Sequence, residues 1–132
     1  MEKLTLAATA RTPEIIFDPA AGKLLLDGES YPEDVSRFYQ PVMEAVNAYL
    51  TEAGATLTVE IKLIYFNSSS ARALTELCDL FDARAADGAN IQIIWFCDDD
   101  DDITREFAED LAIDLEHVQI TIAKLSEHGR FS

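Results

Sequence analysis

Asn67-Ser68-Ser69-Ser70-Ala71-Arg72 gathers an amide, three hydroxyls and a guanidinium where the apolar run Leu57 to Phe66 gives way to a helical pattern. A hydroxyl at such a junction meets free backbone N–H groups and the positive end of the helix dipole, a setting that holds phosphate well. Ser68 is therefore a candidate phosphoacceptor, with Ser69 and Ser70 as weaker ones. Asn67, Ser69, Ser70 and Arg72 are candidate supports for the phosphate. Arg72 stands four residues after Ser68, in the first helical turn, where a cation opposes the dipole. Beside an anion it becomes favourable. The competing reading is capping, since Asn and Ser are preferred N-caps worth on the order of 1 kcal/mol. One cap needs one residue, yet four polar residues stand in a row. Residue chemistry leaves both readings open.

The other candidates are weaker. Asp98 to Asp102 are consecutive carboxylates, and Mg²⁺ or Ca²⁺ would want such oxygens. The run lacks the alternation and the central glycine of an EF-hand loop, and acidic residues also cap helices and complement their dipole. His117 and His128 are the only histidines, and neither lies near a serine in sequence. No G-x-S-x-G or S-x-x-K pattern occurs, and no glycine-rich phosphate loop. A small hydrolase using Ser68, or a metal-dependent enzyme using Asp98–Asp102, is the alternative carried forward. No catalytic residue, metal or cofactor is assigned.

The elements that position these groups follow from period and punctuation. Residues 3–8 read as a first strand. Residues 14–18 and 23–28 flank Pro19-Ala20-Ala21-Gly22 as a hairpin. Ser30-Tyr31-Pro32-Glu33-Asp34 reads as a turn into a helix, with Ser30 or Asp34 as cap and Pro32 near the first helical position. That helix carries Val35, Phe38, Tyr39, Val42, Met43, Val46, Tyr49 and Leu50, and Pro41 inside it predicts a kink or a break into two. Residues 57–66 alternate, with Leu57, Val59, Ile61, Leu63 and Tyr65 on one face. At the strand end Ile64, Tyr65 and Phe66 are candidate partner contacts. A second helix with Leu74, Leu77, Cys78, Phe81 and Ala85 stops at Asp87-Gly88. Residues 91–97 form a strand, a short helix carries Ile103, Phe107 and Leu111, and residues 117–125 close the sheet. The tail, about residues 126–132, is expected to be mobile.

The result is a two-layer α/β domain spanning residues 1–132, a mixed sheet of five or six strands with helices mainly on one face. The chain's 132 residues suffice for a core without disulfides, and Cys78 and Cys97 read as free buried thiols. Its formal charge of −15 repels phosphate backbones and anionic lipid, arguing against nucleic acid and membrane surfaces as partners. No secretory signal and no apolar run of about 18 residues is present, so a cytoplasmic location is expected.

The chain resembles the SiaC-type regulatory phosphoproteins, bacterial relatives of the STAS anti-sigma-factor antagonists. The resemblance runs over about residues 5 to 122. It rests on Thr12-Pro13, Gly28-Glu29-Ser30-Tyr31-Pro32-Glu33, Tyr65-Phe66-Asn67-Ser68-Ser69-Ser70, and Ile94-Trp95-Phe96 before the acidic run. It implies a STAS-like fold without catalytic activity. It implies a switch protein phosphorylated by a serine/threonine protein kinase and reset by a PP2C-type phosphatase. The unphosphorylated form would bind and stimulate a diguanylate cyclase, raising cyclic di-GMP and favouring aggregation or biofilm. The acceptor is the hydroxyl residue directly after the motif Asn, here Ser68, where the SiaC motif carries threonine, which leaves Ser69 and Ser70 as cap and first-turn residues. Classical STAS antagonists have Asp-Ser-Ser-Gly; this chain has Asn67 for the Asp and Ser70 for the Gly. Serine for threonine preserves the kinase class, while the missing glycine argues against a classical sigma-factor circuit.

Overall fold

The antiparallel end of the sheet is set by a glycine turn. In the computed structural model, which describes residues 2–125, β2 (Glu14–Asp18) and β3 (Lys23–Ser30) form a hairpin. Gly22 closes it with a φ of +66°, and its N–H donates to the Pro19 carbonyl at 3.2 Å. A Cβ at Gly22 would stand 2.7 Å from the Thr56 carbonyl oxygen, so the position needs glycine twice over. β1, Leu4–Leu6, pairs antiparallel with β2 and is shorter than the 3–8 expected. The tail expected to be mobile lies outside the described residues.

From β3 onward the strands are parallel. α1 (Val35–Leu50) leads to β4 (Thr56–Phe66), α2 (Ser68–Ala86) to β5 (Asn90–Cys97), and α3 (Asp102–Asp114) to β6 (Gln119–Lys124). The six strands lie in sequence order, so each crossover steps to the next strand in the same direction. Crossovers of the usual right hand then put all three helices on one face. Burial agrees. Leu57, Val59, Ile61 and Leu63 join the core with Tyr39, Val42 and Val46 of α1 and Leu74, Leu77 and Phe81 of α2. Thr58, Glu60 and Lys62, on the other face, are only half-buried. Cys78 and Cys97 are free and buried, and desolvation, with Asp79 adding to it, pushes the Cys78 thiol up to about 12. No described helix is long and apolar enough to cross a membrane.

Two expectations about helices are narrowed. Pro41 lies within α1, and Val35–Leu50 runs as one helix, so the break into two does not occur. Proline inside a helix costs about 3 kcal/mol. Tyr39, Val42, Val46 and Leu50 are buried along one side of α1, and each such side chain recovers about 1.5–3 kcal/mol. Pro41 itself is exposed, so water can reach the carbonyl it leaves unpaired. In α3, Ile103 is 81% exposed and the inward side is Thr104, Ala108 and Leu111, with Phe107 beside them. Phe107 and Leu111 thus face inward as expected, and only Ile103 does not, Thr104 taking its place at the start of the buried stripe.

Candidate functional site

The end of β4 is shaped by an irregularity in its pairing with β3. Gly28 pairs with Leu63 and Glu29 with Tyr65, so Ile64 is an extra residue opposite no partner. Gly28 adopts a φ of +128° there, open to glycine and strained for other residues. The extra residue breaks the alternation. Ile64 is 56% exposed and Tyr65 50% exposed, so Tyr65 does not share the buried face with Leu63 as its spacing suggested. The Tyr31 ring meets Tyr65 edge-on at 5.7 Å. Phe66 takes the opposite course, packing on Phe107 at 5.1 Å and Trp95 at 6.5 Å. Of the three candidate contact residues, two lie at the surface and Phe66 is packed against the core.

Asn67 then starts α2. Its Oδ1 accepts the Ser70 N–H at 2.9 Å and its carbonyl accepts the Ala71 N–H at 2.8 Å. Asn67 is the cap, and the three serines form the first turn. The amides of Ser68 and Ser69 remain as first-turn donors, on residues that are both exposed. Asn67→Ala should lower stability by about 1 kcal/mol in urea denaturation, with Asn67→Asp retaining most of it. Ser69 and Arg72 line a groove of about 270 Å³ between α1 and α2, with Gln40, Met43 and Glu76. The Arg72 side chain is exposed and has no ion pair among the described residues.

Ser70 is different. It is fully buried, and its Oγ accepts the Ser30 hydroxyl at 2.8 Å. It is thereby withdrawn both as an acceptor and as a direct ligand for phosphate. Ser30 also meets the Tyr39 hydroxyl at 2.6 Å, and its carbonyl accepts the Asn67 N–H at 3.1 Å. Ser30 is thus the buried end of β3 and caps nothing. The α1 cap is Asp34, whose Oδ1 accepts the Arg37 N–H at 3.1 Å, and Pro32 lies outside the helix. The Tyr31 N–H donates to the Arg11 carbonyl at 2.7 Å, and Arg11 pairs with Glu33 at 3.2 Å. Spacing could not reveal the Ser30–Tyr39–Ser70 contact, because its members come from three elements.

The acidic run serves α3. Asp101 caps it by accepting the Thr104 N–H at 3.1 Å, and Asp102 pairs with Arg105 at 2.9 Å. Arg105 also donates to the carbonyls of Asp98 at 3.2 Å and Asp99 at 2.8 Å. Among the described residues no group of three or more His, Cys, Asp or Glu is placed to hold a metal ion. His117 precedes β6, and its N–H donates to Asp82 at 2.6 Å. Because β4 and β6 run parallel, that places it at the opposite end of the sheet from Ser68. His128 lies outside the described residues.

The model of the SiaC family of regulatory phosphoproteins matches residues 6–125. The chain belongs to the SiaC family. It is 30% identical over 114 residues to an uncharacterized protein of Pseudomonas aeruginosa (strain UCBPP-PA14), covering 86% of this chain and 90% of that one. The crystal structure of apo-SiaC from Pseudomonas aeruginosa matches with a TM-score of 0.86 at 28% identity, over 93% of this chain and 99% of that one. A chain of the crystal structure of the diguanylate cyclase SiaD in complex with its activator SiaC, from the same organism, gives a TM-score of 0.86 at 28% identity. It covers 92% of this chain and 98% of that one. SiaC membership makes the protein a regulatory phosphoprotein, not an enzyme. Its six-stranded mixed sheet with one layer of helices is the STAS-like α/β arrangement expected.

Proposed function

We propose that this SiaC-family protein is a phosphorylation-controlled partner switch with Ser68 as its acceptor. The unphosphorylated form binds and regulates an effector, a diguanylate cyclase. A serine/threonine protein kinase adds the phosphate and a PP2C-type phosphatase removes it. The switch acts in the cytoplasm, where the nucleotide substrates of kinase and cyclase are found, and its output is cyclic di-GMP and through it aggregation or biofilm. The effector class is supported by the likeness to a chain of the SiaD–SiaC complex. The observation that carries the site is an exposed hydroxyl on the first residue of α2, three residues beyond the exposed Tyr65.

Phosphate adds about −1.5 to −2 charges and three acceptor oxygens there. The amides of Ser68 and Ser69 and the Arg72 guanidinium, which have no partner among the described residues, are the groups that would receive it. A dianion beside Ile64 and Tyr65 would spoil an apolar contact made through them, without rearranging the domain. Phosphopeptide mapping after incubation with the cognate kinase tests the acceptor. Ser68→Ala should abolish labelling and Ser69→Ala should retain it. Labelling of Ser68→Ala at the wild-type level would remove Ser68 from the mechanism.

A further inference from the structure

The Ser30 hydroxyl sits in a motif, Gly28-Glu29-Ser30-Tyr31-Pro32-Glu33, that a surface switch at Ser68 does not by itself require. We propose that Ser30, Tyr39 and Ser70 form a buried hydroxyl chain that positions the acceptor turn, holding Ser68 in the conformation its kinase recognises. This rests on Ser68 being the acceptor. All three residues are buried to 1% exposure or less, and they come from β3, α1 and α2. Each hydroxyl has one proton to give. Ser30 spends its proton on Ser70, so the 2.6 Å contact with Tyr39 is a bond donated by the phenol. Burial raises the Tyr39 pKa above its ordinary value, which keeps that proton in place.

The chain is coupled to the turn at two points. Ser30 holds Asn67 through its carbonyl and Ser70 through its hydroxyl, and Asn67 in turn accepts the Ser70 N–H. Ser68 and Ser69 lie between these two anchored residues. Apolar side chains could fill the same space with no polar group to desolvate. Hydrogen-bonded buried hydroxyls instead select one arrangement of the elements they join. The same contacts keep Ser70 away from a kinase and leave Ser68 and Ser69 exposed. Ser30, Tyr39 and Ser70 are thus positioning residues, acting through the turn and touching no partner.

The test uses the full chain with Tyr39→Phe, which keeps the ring, and Ser70→Ala, which keeps the helix. Val46→Ala, a core truncation further along α1, serves as the control for general destabilisation. Amide hydrogen exchange in residues 68–71 and the kcat and KM for phosphorylation at Ser68 are measured together. Loss of one buried hydrogen bond should speed first-turn exchange and lower kcat/KM by on the order of tenfold. Val46→Ala should lower global stability while leaving both within about twofold of wild type. Tyr39→Phe and Ser70→Ala matching wild type in both readouts would overturn the proposal, as would Val46→Ala reproducing their effects. Phosphate found elsewhere than Ser68 in the wild-type chain would instead defeat the acceptor assignment. Exchange alone would then decide whether the hydroxyls hold the turn.

Discussion

Ser68→Asp should weaken the complex with the proposed diguanylate cyclase effector by about a thousandfold or more, while Ser68→Ala stays within about threefold of wild type. A thousandfold is about 4 kcal/mol, the scale of an unpaired charge forced into a desolvated contact. Total charge cannot supply it. The chain already carries −15, so one further negative charge changes its long-range field little. A long-range effect would also fade with salt, because the Debye length falls from about 10 Å at 0.1 M to about 3 Å at 1 M. A charge buried in the contact is screened far less. Titration calorimetry at low and high salt separates the two, and the deficit of Ser68→Asp should persist at high salt. Unfolding cannot explain the loss either, because an acid in the first turn of α2 favours the helix by about 0.3–1 kcal/mol. Equal binding by Ser68→Ala and Ser68→Asp would end the charge-switch mechanism.

How far the sequence carried this reading depended on whether the signal was local. The period of two in Leu57 to Leu63 and the Pro19–Gly22 turn placed strands correctly, because one face of each strand meets the core. That α2 begins in this polar row was legible, because capping involves only neighbours in sequence. Which residue caps it was not, since every residue of the row is a competent cap; it is Asn67, not Ser69 or Ser70. The irregularity opposite Ile64 was hidden, since alternation continued on paper through Tyr65. Its one trace was Gly28, a glycine inside a strand on the partner side. Pro41 could not show that the helix continues through it, because its helix penalty is local while the burial that outweighs it is tertiary. The hydroxyl chain was out of reach. Residues 30, 39 and 70 share no spacing, and only the folding of β3, α1 and α2 onto one another brings them within 2.8 Å or less.

Trp95→Ala should destabilise the fold by about 3–5 kcal/mol, the largest stability loss expected of a single substitution near the site. Trp95 is fully buried in β5 and forms a cluster with Phe66 and Phe107, its ring 5.8 Å from Phe107 at 70°. That cluster ties the end of β4 to α3, and truncation would leave a cavity between them. Trp95→Phe should cost far less. It keeps an aromatic ring in place and removes the indole Nε1, which is buried without a hydrogen-bond partner among the described residues. An unpaired buried N–H costs about 1–3 kcal/mol, so its removal offsets much of the lost volume. Trp95 is the sole tryptophan, so urea unfolding is followed by circular dichroism. Trp95→Phe matching Trp95→Ala would show that ring size, not the orphaned N–H, governs the site. Phe66 immediately precedes Asn67, so Trp95→Ala should also loosen the turn that carries Ser68. Its residues 68–71 should then exchange amide protons faster, an effect Trp95→Phe should spare.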